Sequence, residues 1–223
     1  MFKSLVTLKD LIYPLFCVSC NTPGKSICLP CTKRWLNQPI KSKIAEVDLY
    51  FTTDYNIENS QIILAAKEIG NKPAINLLAC SIATSINFAI TDLKLNQPIN
   101  LITIPSRPSA IRKRGRDHIS ELLAQVIKEL SQINVQAYYQ PILFIQKKIK
   151  DQSNLNSKAR RKNIESAYRV NGSVISQSPT ILVDDLITTG SSIQEALRAL
   201  RDAKITIDAV ITACAVGRNS LIR

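Results

Sequence analysis

Apolar positions recur along this chain with two periods. At residues 60–69, 74–90, 119–130 and 191–203 they return at helical spacing. In the last of these, Ile193, Ala196, Leu197 and Leu200 share one face. Gly70-Asn71-Lys72-Pro73 divides the first two helices, Gly closing one and Pro opening the next. Short apolar runs at residues 47–53, 100–104, 136–145, 180–183 and 205–216 predict strands. Tyr168-Arg169-Val170 leads into the turn Asn171-Gly172, and residues 54–59 and 96–98 also read as turns. Residues 32–36 form a short helix in which Trp35 anchors a small core. Strands alternating with helices predict an α/β fold with a central parallel sheet flanked by helices. The expected divisions are an N-terminal element at 1–45, a helical connecting region at 46–98 and the α/β domain at 99–217.

Bulk properties narrow the class. The chain has 223 residues, enough for one α/β domain and a small appendage. No apolar run approaches a membrane span, so no membrane insertion is expected. Lys9 and Asp10 interrupt the mildly apolar N-terminus and Pro14 follows, which argues against a signal peptide and for the cytoplasm. The net charge of +12, from 29 Lys+Arg against 17 Asp+Glu, favours a polyanionic partner: a pyrophosphate-bearing substrate, nucleic acid, or both. A solvated basic surface is the plainer alternative. Aromatics are only 5%, so stacking platforms for single strands are few.

Four of the six cysteines form two Cys-x-x-Cys knuckles, Cys17/Cys20 and Cys28/Cys31, with Pro23 and Gly24 between them. Each knuckle can place two thiolates on one metal, and four sulfurs in tetrahedral array favour a closed, structural Zn²⁺ site. The alternative is a pair of disulfides, which a cytoplasmic setting disfavours. Cys80 and Cys214 stand in apolar surroundings and read as core residues.

The stretch from Thr180 to Ser192 carries the most chemistry. An apolar run ends in Asp184-Asp185, then Thr188-Thr189-Gly190-Ser191-Ser192 opens a helix. Backbone N–H groups of such a loop and helix N-terminus can surround a phosphate, with hydroxyls as further donors. The two acids suit ribose hydroxyls, a metal ion or a cationic transition state. A second strand-loop-helix unit runs from Asn100. Its loop holds Ser106, Arg107, Arg112, Lys113, Arg114 and Arg116, a donor-rich set suited to pyrophosphate. Loops at the carboxyl ends of parallel strands face one crevice, so both loops should meet one ligand. His118, the only histidine, is a general-base candidate or a structural hydrogen-bond donor. The polar stretch 146–162, basic at Lys148 and Arg160, reads as a mobile lid or as a linker.

The thirteen residues 180–192 resemble the phosphoribosyl-pyrophosphate (PRPP) motif of type I phosphoribosyltransferases. The order of parts along the chain resembles the ComF-type members of that group, which are linked to bacterial competence and DNA uptake. The counterparts are Cys17/Cys20/Cys28/Cys31, Lys67 with Gly70, residues 105–118, Gln152/Leu155/Arg160/Asn163 and residues 184–192. Two stretches depart from the pattern: Arg116-Asp117-His118 stands where Phe-Asn-Gln is usual, and Glu68 replaces an aromatic residue. The resemblance implies a Rossmann-like fold and displacement of pyrophosphate from PRPP by a nitrogen acceptor, with Mg²⁺. Asp184 and Asp185 would serve the ribose and the transition state, Thr188 to Ser192 the 5′-phosphate, and Ser106 to Arg116 the pyrophosphate. Lys148, Gln152, Arg160 and Asn163 would belong to the mobile loop. Two other readings are a PRPP-binding or DNA-uptake accessory protein without turnover, contacting single-stranded DNA or a helicase partner, and a DNA-binding zinc module in residues 1–45.

Overall fold

The computed structural model describes residues 15–146, 166–172 and 178–216. In chain order the elements are α1 (Leu29–Trp35), β1 (Ile40–Ile44), β2 (Val47–Phe51), β3 (Thr53–Asp54), α2 (Ile57–Leu64), a π-helical turn (Ala65–Ile69), α3 (Lys72–Asp92), β4 (Ile99–Thr103), α4 (Pro108–Arg114), α5 (His118–Gln132), β5 (Ala137–Tyr139), β6 (Leu143–Ile145), β7 (Tyr168–Val170), β8 (Thr180–Ile187), α6 (Ser191–Asp202) and β9 (Ala209–Ala215).

The main sheet has the order β1-β2-β9-β8-β4-β5, with β3 continuing along β9 past β2. All its pairs are parallel except β1–β2. β6 and β7 pair separately, antiparallel. The central strands β4, β8 and β9 are mostly apolar and largely buried because both faces are covered. Leu101, Ile181, Val183 and Ile211 pack with Leu78, Ile82 and Leu122 of α3 and α5. Ile102, Leu182 and Val210 pack on the other face with Ile193, Ala196 and Leu200 of α6. This is the expected α/β class: a mostly parallel central sheet with helices on both sides, and the cysteine-bearing segment at its N-terminal end.

Several elements differ from the sequence-based reading. Helix α2 begins inside the expected turn at 54–59, because the Asn56 side chain caps it by accepting the Asn59 N–H at 2.7 Å. The run 136–145 is two strands rather than one: β5 joins the main sheet and β6 pairs β7. Strand β8 continues four residues beyond Val183, because Leu186 and Ile187 pair with Cys214 and Ala215. The basic loop contains helix α4, opened by Pro108 in its first turn. The expectation that no apolar run nears membrane-spanning length is corrected by the 21-residue α3, in which an 18-residue window reaches a mean hydropathy of 1.6. Its Leu78, Ile82, Ile86 and Ala89 are buried in the core, so it serves here as a core helix.

Candidate functional site

Asp184 and Asp185 lie within β8, held there by the pairing of β8 with β9 beyond them. Asp185 is 3% exposed and turns toward the π-helical turn and α5. Lys67 donates to its Oδ2 at 2.9 Å, and His118 Nε2 stands 3.3 Å from the same oxygen. The Asp184 Oδ1 accepts the backbone N–H of Asp185 at 2.9 Å.

These partners set the charges. Burial acts to raise the Asp185 carboxyl, but the Lys67 ammonium and then His118 outweigh it, holding the group well below the usual carboxylate range. Burial acts to lower the Lys67 ammonium, and Asp185 followed by Asp184 holds it above the usual lysine range. Asp184 goes the other way: burial, then the negative charge of Asp185, pushes it well up. The pair therefore consists of one firmly ionised carboxylate and one that readily keeps a proton. Burial, followed by the charge of Asp184, also raises the Tyr168 phenol.

His118 is oriented from its other side. Arg114 Nη1 lies 3.2 Å from Nδ1 and Ser106 Oγ lies 3.3 Å from it. A guanidinium only donates, so Nδ1 accepts and Nε2 carries the proton directed at Asp185. The imidazole is thus a donor to Asp185, with its basic nitrogen already occupied. Of the two roles open from the sequence, this geometry favours the structural hydrogen-bond donor.

Two arginines of the basic segment clamp the turn that carries Lys67. Arg114 donates to both carboxylate oxygens of Glu68, from Nε at 3.0 Å and Nη2 at 2.7 Å. Arg116 donates to the carbonyls of Ala66 and Lys67 and pairs with Glu121. Its guanidinium lies over Gly70, where a Cβ would come within 2.9 Å of Arg116 Nε. Gly70 also adopts φ +72°, closing the turn in the left-handed region. Of the positions that depart from the ComF pattern, Glu68 and Arg116 are used in this clamp.

A cavity of about 280 Å³ gathers the site. Ser106, Arg107, Arg114, Asp184, Asp185, Thr188 and Ser192 line it, and so do Lys67, His118 and Tyr168. Thr189, Gly190 and Ser191 build the turn rather than the wall: Gly190 takes φ +71° to start α6, and the Thr189 and Ser191 hydroxyls bond at 3.1 Å. The first N–H groups of α6 lack intrahelical partners, as at any helix start. Arg112 is exposed and lines neither this cavity nor its larger neighbour, whereas Lys113 lines the neighbour. Arg116 is committed to the clamp. Lys148, Gln152, Arg160 and Asn163 lie outside the described residues. Tyr168 was not foreseen as a site residue. It is held by Glu195, which accepts its N–H at 3.4 Å, and by Arg198, which donates to its carbonyl at 3.2 Å.

The four N-terminal cysteines form a separate cluster. Their sulfurs all lie within 4.8 Å of one another. Zinc ligands stand about 2.3 Å from the metal, hence about 3.8 Å apart in a tetrahedron. The donor set and spacing therefore suit zinc. The Thr22 hydroxyl pulls the Cys20 thiol down to about 6, while burial pushes Cys31 up to about 12. The Cys28 N–H also donates to Cys17 Sγ at 3.4 Å. Cys17, Cys31 and Trp35 are buried against the main core.

Comparison with known proteins adds a family likeness. Residues 116–222 match the family model of the phosphoribosyl transferase domain. The matched segment holds α5, β8, the acid pair and the Thr188–Ser192 turn. Lys67 and residues 106–114 fall before it. One similar solved structure is the orotate phosphoribosyltransferase from Aeropyrum pernix, with 15% identity and a TM-score of 0.33 over 69% of this chain. The chain spans 65% of that protein's length. No curated protein matches the sequence.

Proposed function

We propose that this chain is a PRPP-using phosphoribosyltransferase of the ComF type. The observation that carries the reading is the joining, in one cavity, of the acid pair, Thr188 and Ser192 with Ser106, Arg107 and Arg114. The domain match at 116–222 and the four-cysteine element ahead of it support the same reading.

In this reading the 5′-phosphate sits on the N–H groups and hydroxyls of residues 188–192 at the start of α6. Asp184 faces the ribose hydroxyls, and Asp185, kept ionised by Lys67 and His118, favours the positive charge that develops at the anomeric carbon. Arg107, Arg114 and Ser106 receive the pyrophosphate. Magnesium bound with the substrate supplies further neutralisation of its oxygens, and the acid pair offers the hard oxygen donors that suit it. The bond from the anomeric carbon to the pyrophosphate oxygen breaks as the bond to the acceptor nitrogen forms. Zinc on the four cysteines is structural, since four thiolates leave no open position. The chain acts in the cytoplasm. A role in DNA uptake follows from the family resemblance and from the net charge of +12.

The test is pyrophosphate release from labelled PRPP and Mg²⁺ across a panel of nitrogen acceptors. Release that depends on one acceptor is the expected result. PRPP binding with no release for any acceptor, together with salt-sensitive binding of single-stranded DNA, would instead indicate an accessory protein without turnover.

A further inference from the structure

A second cavity, of about 680 Å³, lies between α2 with its π-helical turn and α4. Its size falls within the usual range of small-molecule sites, about 300–1,000 Å³. It adjoins the acidic cavity: Lys67, Arg107, Arg114 and Leu186 line both. The two walls differ in chemistry. On the α2 side, Tyr55, Ile63 and Leu64 present apolar surface, and Tyr55 and Leu64 remain 40% and 46% exposed. On the α4 side stand Arg107, Lys113 and Arg114. Among the described lining residues Glu68 is the only carboxylate, and Arg114 engages both of its oxygens. Lys67 is committed to Asp185. Lys113 is exposed and lines the larger cavity without lining the smaller.

We propose that this second cavity takes the nitrogen acceptor, and that the acceptor is a planar aromatic or heteroaromatic nitrogen compound bearing a carboxylate that Lys113 reads. This rests on the phosphoribosyl-transfer reading of the neighbouring cavity. An amphipathic pair of walls suits an amphipathic ligand. The ring lies against Tyr55, Leu64 and Leu186, and its anionic edge turns to α4. A neutral ring would cover the apolar wall equally well but offer the Lys113 ammonium no anionic contact. Arg107 and Arg114 also border the cavity assigned to pyrophosphate, so the charge specific to the acceptor is that of Lys113. The acceptor nitrogen's lone pair forms the new bond as pyrophosphate departs with its bonding electrons. The proton lost by the nitrogen passes to pyrophosphate or solvent.

The experiment is saturation-transfer NMR on the full chain with two matched pairs of probes, nicotinate against nicotinamide and anthranilate against aniline. Each carboxylate is expected to bind about tenfold tighter than its neutral partner, the effect of one charge-assisted contact. Lys113→Met should abolish that ratio and Lys113→Arg should keep it. Tyr55→Ala should weaken both members of each pair while leaving the ratio intact. Equal binding within the pairs, a ratio unmoved by Lys113→Met, or no binding by any of the four probes overturns the proposal. Calorimetry with PRPP and Mg²⁺ on the same wild-type sample separates the two ideas. PRPP binding without a carboxylate preference sinks the acceptor assignment alone. A carboxylate preference without PRPP binding sinks the transfer reading and leaves the cavity assignment standing.

Discussion

Asp184 and Asp185 are neighbours in sequence with opposite electrostatic roles. Asp185 owes its charge to Lys67 and His118. Its folded carboxyl is depressed, so the stability it contributes is present above the unfolded carboxylate value, about 3.9, and is lost as pH falls through the lower folded value. Acid titration of stability should therefore steepen below about pH 4 in the wild type, and Asp185→Asn should flatten that limb. The same variant leaves the Lys67 ammonium without its partner at the cavity and should cost about 1–3 kcal/mol at pH 7, read by denaturant unfolding. Asp184 is raised, so its ionisation opposes folding at neutral pH. Asp184→Asn keeps an acceptor for the Asp185 N–H and removes the like charge. It should raise the melting temperature of the ligand-free protein by roughly 2–4 °C, equivalent to about 1 kcal/mol. A fall in melting temperature would contradict that assignment of roles. The acid pair and hydroxyl loop were legible in the sequence because they form one contiguous motif. The convergence of Lys67 and His118 on Asp185 was not, because both reach it across long sequence separations that only the fold closes.

At the level of elements, apolar period located most helices and the central strands, while local backbone chemistry moved their ends. Strand β8 outlasts its apolar run because ladder partners on β9 carry it through two acids. Pro141, two residues after the end of β5, removes a donor, so the apolar stretch that reads as one strand becomes two in different sheets. Strand β1, Ile-Lys-Ser-Lys-Ile, escapes detection because it is short and two of its five residues are charged. The π-helical turn and its arginine clamp could not be read either, since a run of basic residues looks the same whether it faces ligand or carbonyl groups. Gly70→Ala tests the clamp: left-handed strain alone costs about 1–2 kcal/mol, and the new methyl must also displace Arg116. The unfolding midpoint should fall with an unchanged denaturant slope. An unaltered midpoint would show that neither the turn nor Arg116 is held as described.

Across the whole molecule, the four-cysteine element is tied to the sheet rather than appended to it. Cys17, Cys31 and Trp35 share the core cluster that includes α3 and β9, and the Thr52 hydroxyl donates to the Trp35 carbonyl at 2.9 Å. Metal loss should therefore be felt globally. The purified chain is expected to hold one zinc, and chelation or Cys28→Ser should lower the melting temperature by roughly 5 °C or more, about 2 kcal/mol. Metal analysis with a parallel melting curve checks this, and a zinc-free protein of unchanged stability would refute it. The same core brings the acidic strand, the arginine-bearing segment and the Lys67 turn to one end of the sheet, where the proposed substrate sits. Titration calorimetry of PRPP and Mg²⁺ against wild type and Asp184→Asn is the most direct measurement. Saturable binding by wild type, weakened about tenfold or more in the better-folded variant, is the predicted result. Equal affinity in the two proteins, or no binding by wild type, would contradict a PRPP site at the end of β8.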